Sequence, residues 1–304
     1  MSTIIWSATP TPFLRDGSLD LASIERLVEQ HLGLGVTGLF VAGTCGEGPL
    51  MPSAQRTELV RAIKRHAGPR LHIAAQVSDS SAARVRENVA RMQDAGADSV
   101  VIAPPWIPRF CNRDFVRRYF LEPIEAATAP VGLYVLKQPP ETGLDLALWT
   151  ELAAHPKVSL VKDSSASEEY IRALADVRKR RPDILLLTGY EFDTLTAAAG
   201  GYDGALLGSG ILIGGFIRRA LDALAAGARA GAERWQKRSN EFLYDLFRRD
   251  IGNWLGGLKY ALVRLGIFGT EFMHMSYPLT DVDRARIDAA LERERPFVLP
   301  GGGS

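Results

Sequence analysis

Lys162 is the residue whose position most clearly suggests covalent chemistry. It stands near the end of the apolar run "VSLVKD" at 158–163, where a strand would bury it. A buried lysine costs free energy unless it is paired or neutralised, and its neutral amine can attack a ketone to form a Schiff base. The alternative is a structural lysine that is paired with Asp163 or Glu47. We expect Lys259, in the helical pattern "GLKYAL", to lie at a surface or to pack between helices.

Polar residues at the ends of other apolar runs could complete a site for a 2-oxo acid. The hydroxyl of Tyr134, in "VGLYVL", could move protons to and from the carbinolamine that precedes a Schiff base. Thr44 and the adjacent amides of "GTCGEG" could hold a carboxylate beside the ketone, although Thr44 could instead cap a following helix. Gly189 and Glu191 follow "ILLLTG", and Ser209 ends "GALLGS". Such chemistry needs no metal, and the sequence shows no His/Asp/Glu cluster with the spacing of metal ligands.

These residues can meet only if the chain brings the ends of its strands together. Strand-like apolar runs alternate with amphipathic helical patterns, which predicts an α/β fold, a (β/α)8 or TIM barrel whose active face lies at the carboxyl ends of the strands. A doubly wound sheet is the alternative, and the lack of a GxGxxG after the first strand weakens it. The predicted strands cover residues 3–8, 38–43, 71–77, 98–105, 131–136, 158–163, 184–189 and 204–209.

The last third of the chain carries helical patterns alone. We predict the eighth barrel helix near 215–226, so that the barrel occupies residues 1–226. A C-terminal three-helix extension is predicted over residues 227–298. Residues 299–304 are rich in glycine and are interpreted as a flexible tail or a cloning remnant.

Bulk properties argue against several classes of function. The chain has 304 residues, 46% of them hydrophobic and 23% charged, and its formal net charge is +1, so neither nucleic acid nor a membrane is expected as a partner. The two cysteines form no disulfide framework and the first residues lack a signal-peptide pattern, so a cytoplasmic protein is expected. The glycine-rich stretches "AGGYDG" and "GSGILIGG" leave a phosphate-binding barrel as a rival, but neither contains a lysine or an arginine.

The segments "GLFVAGTCGEGPLM", "LYVLKQPPETG", "LVKDSS" and "GLKYALVRLG", in this order, resemble the dihydrodipicolinate synthase / N-acetylneuraminate lyase family over residues 4–294. The resemblance implies a class I aldolase mechanism on pyruvate or another 2-oxo acid, without a cofactor beyond the covalent Schiff base on Lys162. It makes Tyr134 the proton relay and Gly43–Thr44–Cys45 the turn that binds the carboxylate. It also implies a homotetramer that is built from two tight dimers.

The chain departs from this family at positions that contact substrates. Cys45 replaces a hydroxyl residue, and its thiol is a weaker hydrogen-bond donor, so carboxylate binding is expected to depend more on backbone amides. Trp106 or Ile107 takes the place of a tyrosine after the fourth strand, and Glu141 stands where the synthases carry an arginine. Phe192 replaces one of the paired acids that follow the seventh strand in the lyases.

These departures predict a lyase or aldolase that acts on pyruvate or a 2-oxo-3-deoxy sugar acid rather than a true dihydrodipicolinate synthase. A 2-oxo acid dehydratase of the same family is the nearest alternative. A non-catalytic protein that binds a 2-oxo acid is the alternative from another class. Besides the turn at Gly43–Thr44–Cys45, the predicted substrate contacts are Trp106, Glu141, Gly189, Glu191 and Ser209.

Overall fold

The structure is a computed structural model that describes residues 3–106, 111–138 and 142–300. Across these residues, eight parallel strands pair in chain order, and pairing of the last with the first closes a barrel. This topology confirms the predicted (β/α)8 architecture and excludes the doubly wound sheet. The strands are β1 (Ile4–Ala8), β2 (Gly38–Val41), β3 (His72–Gln76), β4 (Ser99–Ile102), β5 (Val131–Val135), β6 (Val158–Asp163), β7 (Leu185–Thr188) and β8 (Gly204–Leu207).

Helices follow the strands and cover the outside of the barrel. Most of them carry an apolar stripe that packs against the strands, and several begin at a polar side chain that accepts an amide hydrogen bond of the first turn. Asp20 accepts from Ser23 in this way, and Asn112 accepts from Phe115. The covering helices are α1 (Leu21–Gly33), α2 (Ser53–Ala67), α3 (Ala82–Asp94), α4 (Arg113–Ala126), α5 (Leu146–Ala153), α6 (Glu168–Arg180), α7 (Thr194–Ala199) and α8 (Gly210–Ala225).

The interior of the barrel is a packed core rather than a channel. At its N-terminal end, Trp6 lies across Gly38, where any Cβ would overlap the indole ring. Because apolar side chains fill this end, a substrate must approach from the carboxyl ends of the strands. The interior cluster contains Trp6, Ala8, Phe40, Ala74, Val101, Ala103, Tyr134, Leu160, Leu187 and Leu206.

Three further helices follow the barrel: α9 (Arg229–Phe247), α10 (Trp254–Arg264) and α11 (Asp281–Val298). The first of them, α9, packs against α8 and against both α10 and α11. The extension is therefore joined to α8, the last helix of the barrel. Within the described residues, none of the helices combines the length and the apolar character that crossing a membrane requires.

The helix α8 begins at Gly210, about five residues before the predicted start. Gly210 allows this early start because its Cα lies close to β1, and a Cβ there would be 2.8 Å from Cβ of Ser7. The stretch "GSGILIGG" therefore forms the buried first turns of a helix rather than an open glycine-rich loop.

Candidate active site at the carboxyl ends of the strands

Lys162 and Tyr134 face each other at the carboxyl ends of two neighbouring strands. The register of β5 and β6 pairs Tyr134 directly with Lys162. Lys162 is only 5% exposed, and its Nζ lies 4.1 Å from the centroid of the Tyr134 ring and 5.1 Å from that of Phe40. Two aromatic rings thus flank the amine and shield it from water on the side of the barrel core.

The structure does not pair Lys162 with either carboxylate that was considered for it. Asp163 accepts a hydrogen bond from the hydroxyl of Tyr202 at 2.7 Å, and Glu47 forms an ion pair with Lys259. In the described parts of the chain, no acidic side chain lies within ion-pair distance of Lys162. A buried amine without such a partner is suited to react rather than to hold the structure together.

Gly189, at the end of β7, leaves the space that the lysine side chain occupies. A Cβ at Gly189 would lie 2.8 Å from Cε of Lys162 and would overlap the hydroxyl of Ser164. The Gly189 amide also donates to the carbonyl of Asp163 at 2.7 Å, which joins β7 to β6 directly beside the lysine. Gly189 therefore packs directly against Lys162, and its contact with the substrate stays a prediction.

The turn after β2 presents free amide groups. The strand ends where Ala42 adopts a left-handed conformation with φ of 56°, two residues earlier than predicted. The turn that follows is closed by hydrogen bonds from Glu47 and Gly48 to the carbonyls of Thr44 and Gly43, both of 3.1 Å. Within the residues that the structure describes, the amides of residues 44–46 donate to no backbone carbonyl, so they can bind an anion such as a carboxylate.

The side chains of Thr44 and Cys45 in this turn have different surroundings. Thr44 is exposed, and Cys45 is half-buried and points toward Gly208, where a Cβ would lie 3.0 Å from the sulfur. Burial raises the pKa of the Cys45 thiol to about 12, although Lys162 opposes this shift. Cys45 is therefore a neutral thiol at physiological pH and a poor nucleophile.

Alkylation tests the state of Cys45 directly. Iodoacetamide reacts with thiolates, so near neutral pH we expect Cys45 to be alkylated roughly a thousand times more slowly than a small free thiol of ordinary pKa. Peptide mass spectrometry after timed quenching gives the rate, with glutathione in the same tube as the control. Alkylation of Cys45 as fast as that of glutathione would contradict the burial of this thiol.

Glu191 and Ser209 form a polar pair beside Gly208, where the thiol of Cys45 also lies. The amide and the hydroxyl of Ser209 donate to Oε2 of Glu191 at 3.0 and 2.6 Å. Burial raises the pKa of Glu191, while the Ser209 hydrogen bonds and the charge of Lys162 act in the opposite direction. The site thus contains a carboxyl group that can accept a hydrogen bond from a substrate hydroxyl or, when it is protonated, donate a proton.

The two residues that follow Glu191 make structural contacts. Phe192 stacks on Tyr244 of α9, with ring centroids 5.2 Å apart, so it joins this loop to the extension. Asp193 caps α7 by accepting hydrogen bonds from the amide and hydroxyl of Thr196.

The remaining predicted contacts lie at or beyond the edges of the described residues. Trp106 is 45% exposed at the end of the segment that precedes residues 107–110. Ile107 and Glu141 lie outside the described residues. No group of three or more His, Cys, Asp or Glu side chains within the described ranges is arranged to hold a metal ion.

The expectation that Lys259 is a surface or simple packing residue was wrong. Its side chain is fully buried, and Nζ lies 2.6 Å from Oε1 of Glu47, whose side chain is also inaccessible to solvent. Burial lowers the pKa of Lys259, and the Glu47 carboxylate opposes that effect. Glu47 in turn accepts amide hydrogen bonds from His274 and Met275.

Sequence reasoning also missed Phe40 and Gly208, which shape the site without carrying polar atoms. Phe40 lies edge-on to Tyr134, with ring centroids 5.9 Å apart, and Gly208 makes room for Cys45. The alternation of β2 could have identified Phe40, because inward-facing residues of a strand recur every second position. The residues Gly38 and Phe40 share the inward face in "GLFV".

Comparison with known proteins identifies the family of the chain. A sequence profile described as the dihydrodipicolinate synthetase family matches residues 1–293. The chain belongs to this family. Members of the dihydrodipicolinate synthetase family are lyases, and the described fold is that of the family.

Relatives of known sequence and structure cover nearly the whole chain. The chain is 30% identical over 241 residues to the 4-hydroxy-tetrahydrodipicolinate synthase of Xylella fastidiosa, which covers 78% of each protein. It is 28% identical over 294 residues to the synthase of Chlorobaculum parvum, which covers 94% of this chain and 95% of that protein. The structure of YagE, a family member from a prophage of E. coli K12 solved in complex with pyruvate, matches with a TM-score of 0.84 and 25% identity over 96% of this chain and 98% of YagE.

Proposed function

We propose that this member of the dihydrodipicolinate synthetase family is a class I lyase that forms a Schiff base between Lys162 and the C2 ketone of pyruvate or a 2-oxo-3-deoxy sugar acid. The observation that carries the proposal is the position of the Lys162 amine, buried beside Tyr134 and without an ion-pair partner among the described residues. The pyruvate complex of the relative YagE supports the choice of ligand.

In the proposed reaction each residue acts on a defined atom. In its unprotonated form the amine of Lys162 attacks C2, and the carbinolamine loses water to give a protonated imine. The C3–C4 bond then breaks, its electron pair moves into the imine to form an enamine, and the C4 hydroxyl loses its proton as the aldehyde leaves. Tyr134 moves protons at the carbinolamine, and the free amides of residues 44–46 bind the substrate carboxylate. Protonation of the enamine at C3 and hydrolysis release pyruvate.

The second half of the substrate is proposed to be neutral and hydroxylated. Glu191, held by Ser209, offers carboxylate oxygens that suit hydroxyl donors and repel a second anion. The sequence also places the acidic Glu141 where the synthases carry an arginine. Both features disfavour the acidic aldehyde that dihydrodipicolinate synthesis requires, so we propose that this protein is not a true dihydrodipicolinate synthase.

Glu191 also favours dehydration as a second candidate reaction. Because burial raises its pKa, a larger fraction of Glu191 is protonated at neutral pH than of an ordinary glutamate. A protonated carboxyl group beside the enamine can donate a proton to a departing substrate hydroxyl. In this reaction Tyr134 would take a proton from C3 of the Schiff base on Lys162, and the resulting enamine would break the C4–O bond and release water instead of an aldehyde.

A panel of 2-oxo-3-deoxy sugar acids of increasing chain length distinguishes these reactions. Coupled detection of pyruvate measures cleavage, and mass spectrometry of the products measures loss of water. We expect turnover of neutral polyhydroxylated substrates and weaker turnover when the aldehyde half carries a carboxylate. Highest activity with an anionic aldehyde would refute the proposed specificity, and thermal stabilisation by 2-oxo acids without any turnover would favour the binding protein.

The substitution Gly189→Ala tests the packing around Lys162. The new Cβ would lie 2.8 Å from Cε of the lysine, and a displacement of about 1 Å at a reacting group can lower the rate roughly a hundredfold. The matched control is Gly231→Ala on α9, where the nearest heavy atom would lie 3.7 Å away. Steady-state kinetics of both variants should show the loss in Gly189→Ala alone, and normal turnover of a folded Gly189→Ala would contradict this placement.

We also propose that the protein is cytoplasmic, as the cysteine content predicts, and that it is a homotetramer, as the family resemblance implies. Leu50 and Trp106, which follow β2 and β4 at the active face, are 50% and 45% exposed, and apolar side chains of this kind are common in subunit interfaces. Light scattering on the purified protein measures the mass in solution. A stable monomer would overturn this part of the proposal.

A further inference from the structure

The turn that follows β2, residues 42–48, has a backbone that requires support from its surroundings. Ala42 and Glu47 both adopt left-handed conformations with φ of 56°, which are unfavourable for residues other than glycine. A Cβ at Gly48 would overlap the carbonyl of Ala42, so the two ends of the turn are in close contact. Backbone of this kind persists only where neighbouring groups hold it in place.

The neighbouring groups belong to the C-terminal extension. One carboxylate oxygen of Glu47 accepts a hydrogen bond from Lys259 of α10 at 2.6 Å. The other accepts from the amides of His274 and Met275 at 2.6 and 3.3 Å. The Lys259 amine also donates to the carbonyl of Phe272 at 2.7 Å, so the ion pair joins the turn to two parts of the extension.

The cost of burying this pair indicates that it has a role beyond stability. Both side chains are inaccessible to solvent, and a buried ion pair is often no more stabilising than apolar residues of similar volume. The pair instead fixes the orientation of the Glu47 side chain, because its carboxylate oxygens can meet their three partners in only one orientation. That orientation fixes Glu47 and, through its backbone, the free amides of residues 44–46.

We propose that Lys259 is a positioning residue for substrate binding, which acts through Glu47 to hold the amides of the turn in the geometry that selects a carboxylate. This inference rests on the proposed function, since the turn is taken to bind the carboxylate of the 2-oxo acid beside Lys162. It gives the extension a part in substrate recognition, because Lys259 lies on α10. The selected chemical class is a ketone with an adjacent carboxylate.

Two ketones of similar size separate carboxylate recognition from amine reactivity. Pyruvate carries a carboxylate beside its ketone, and hydroxyacetone carries a neutral hydroxymethyl group there. The rate of Lys162 adduct formation under borohydride is measured for each ketone at several concentrations, in the full-length wild-type protein and in Lys259→Met. Lys64→Met is the control, because Lys64 forms a partly exposed ion pair with Asp98 remote from the turn.

We expect wild type and Lys64→Met to prefer pyruvate by roughly a hundredfold, which is the factor expected for charge-assisted hydrogen bonds to a carboxylate. In Lys259→Met the preference should fall at least about tenfold through a higher half-saturating concentration of pyruvate, with hydroxyacetone little affected. The double variant Glu47→Gln/Lys259→Met leaves no unpaired buried carboxylate, and it serves the same test if the single variant does not fold.

The other outcomes overturn the inference. An unchanged preference for pyruvate in a folded variant would show that the ion pair does not position the amides. Equal slowing with both ketones would show general damage to the site rather than a loss of carboxylate recognition. A wild-type protein that forms no adduct with either ketone would refute the proposed function and, with it, this inference.

Discussion

The variant Lys162→Met is expected to lose at least roughly 10⁴-fold in turnover of every accepted 2-oxo acid, because it removes the nucleophile that forms the covalent intermediate. The fold should survive, since methionine has a similar length and is compatible with the flanking rings of Tyr134 and Phe40. No described acidic side chain would lose an ion pair. Steady-state kinetics over the substrate panel, together with thermal unfolding, measure both quantities.

The matched control for this variant is Lys237→Met. Lys237 lies on α9 and is largely exposed, and its contact with Glu241 is a surface pair that contributes little to stability. Its turnover should equal that of wild type. Normal turnover by a folded Lys162→Met would contradict the Schiff-base mechanism for any of the accepted substrates.

The second large effect concerns stability. Replacing Lys259 with methionine leaves the carboxylate of Glu47 buried without its charged partner, and breaking a buried pair in this way costs about 3–5 kcal/mol. We therefore expect the free energy of unfolding, measured by urea denaturation, to fall by this amount. A smaller loss is expected for Glu47→Gln/Lys259→Met, because both charges are removed together.

Lys64→Met provides the comparison for this measurement. The Lys64–Asp98 pair has the same 2.6 Å separation, but its side chains are 29% and 34% exposed. Water screens such a pair, so its loss should change the free energy of unfolding by less than about 1 kcal/mol. Equal changes in the free energy of unfolding in Lys64→Met and Lys259→Met would show that burial does not make the Lys259–Glu47 pair more important for stability.

The fold could be predicted from the sequence because its signal is local and repeated. Each strand is a short apolar run followed by a helical pattern, so the order of elements can be taken from neighbouring residues. The predicted ends of elements were less accurate where a feature that the apolar pattern does not show determines the end. The end of β2 depends on the conformation of Ala42, and the start of α8 depends on the close approach of Gly210 to β1.

The candidate site could be predicted in part for a similar reason. Lys162 and Tyr134 lie on adjacent strands, so a barrel brings them together in register without further information. Lys259 and Glu47 are 212 residues apart, and no pattern in either segment indicates that they meet. Helical periodicity shows only that Lys259 belongs to a helix, and it does not identify which element packs against that face.

The central claim is that Lys162 forms a Schiff base with a 2-oxo acid, and reductive trapping tests it most directly. The protein is incubated with pyruvate and borohydride, and the modified peptide is then identified by mass spectrometry. We predict a pyruvate-derived adduct on Lys162 and no adduct at Lys157 or Lys259. The absence of an adduct on Lys162 with pyruvate and with longer 2-oxo acids would contradict the account and favour a non-catalytic binding protein.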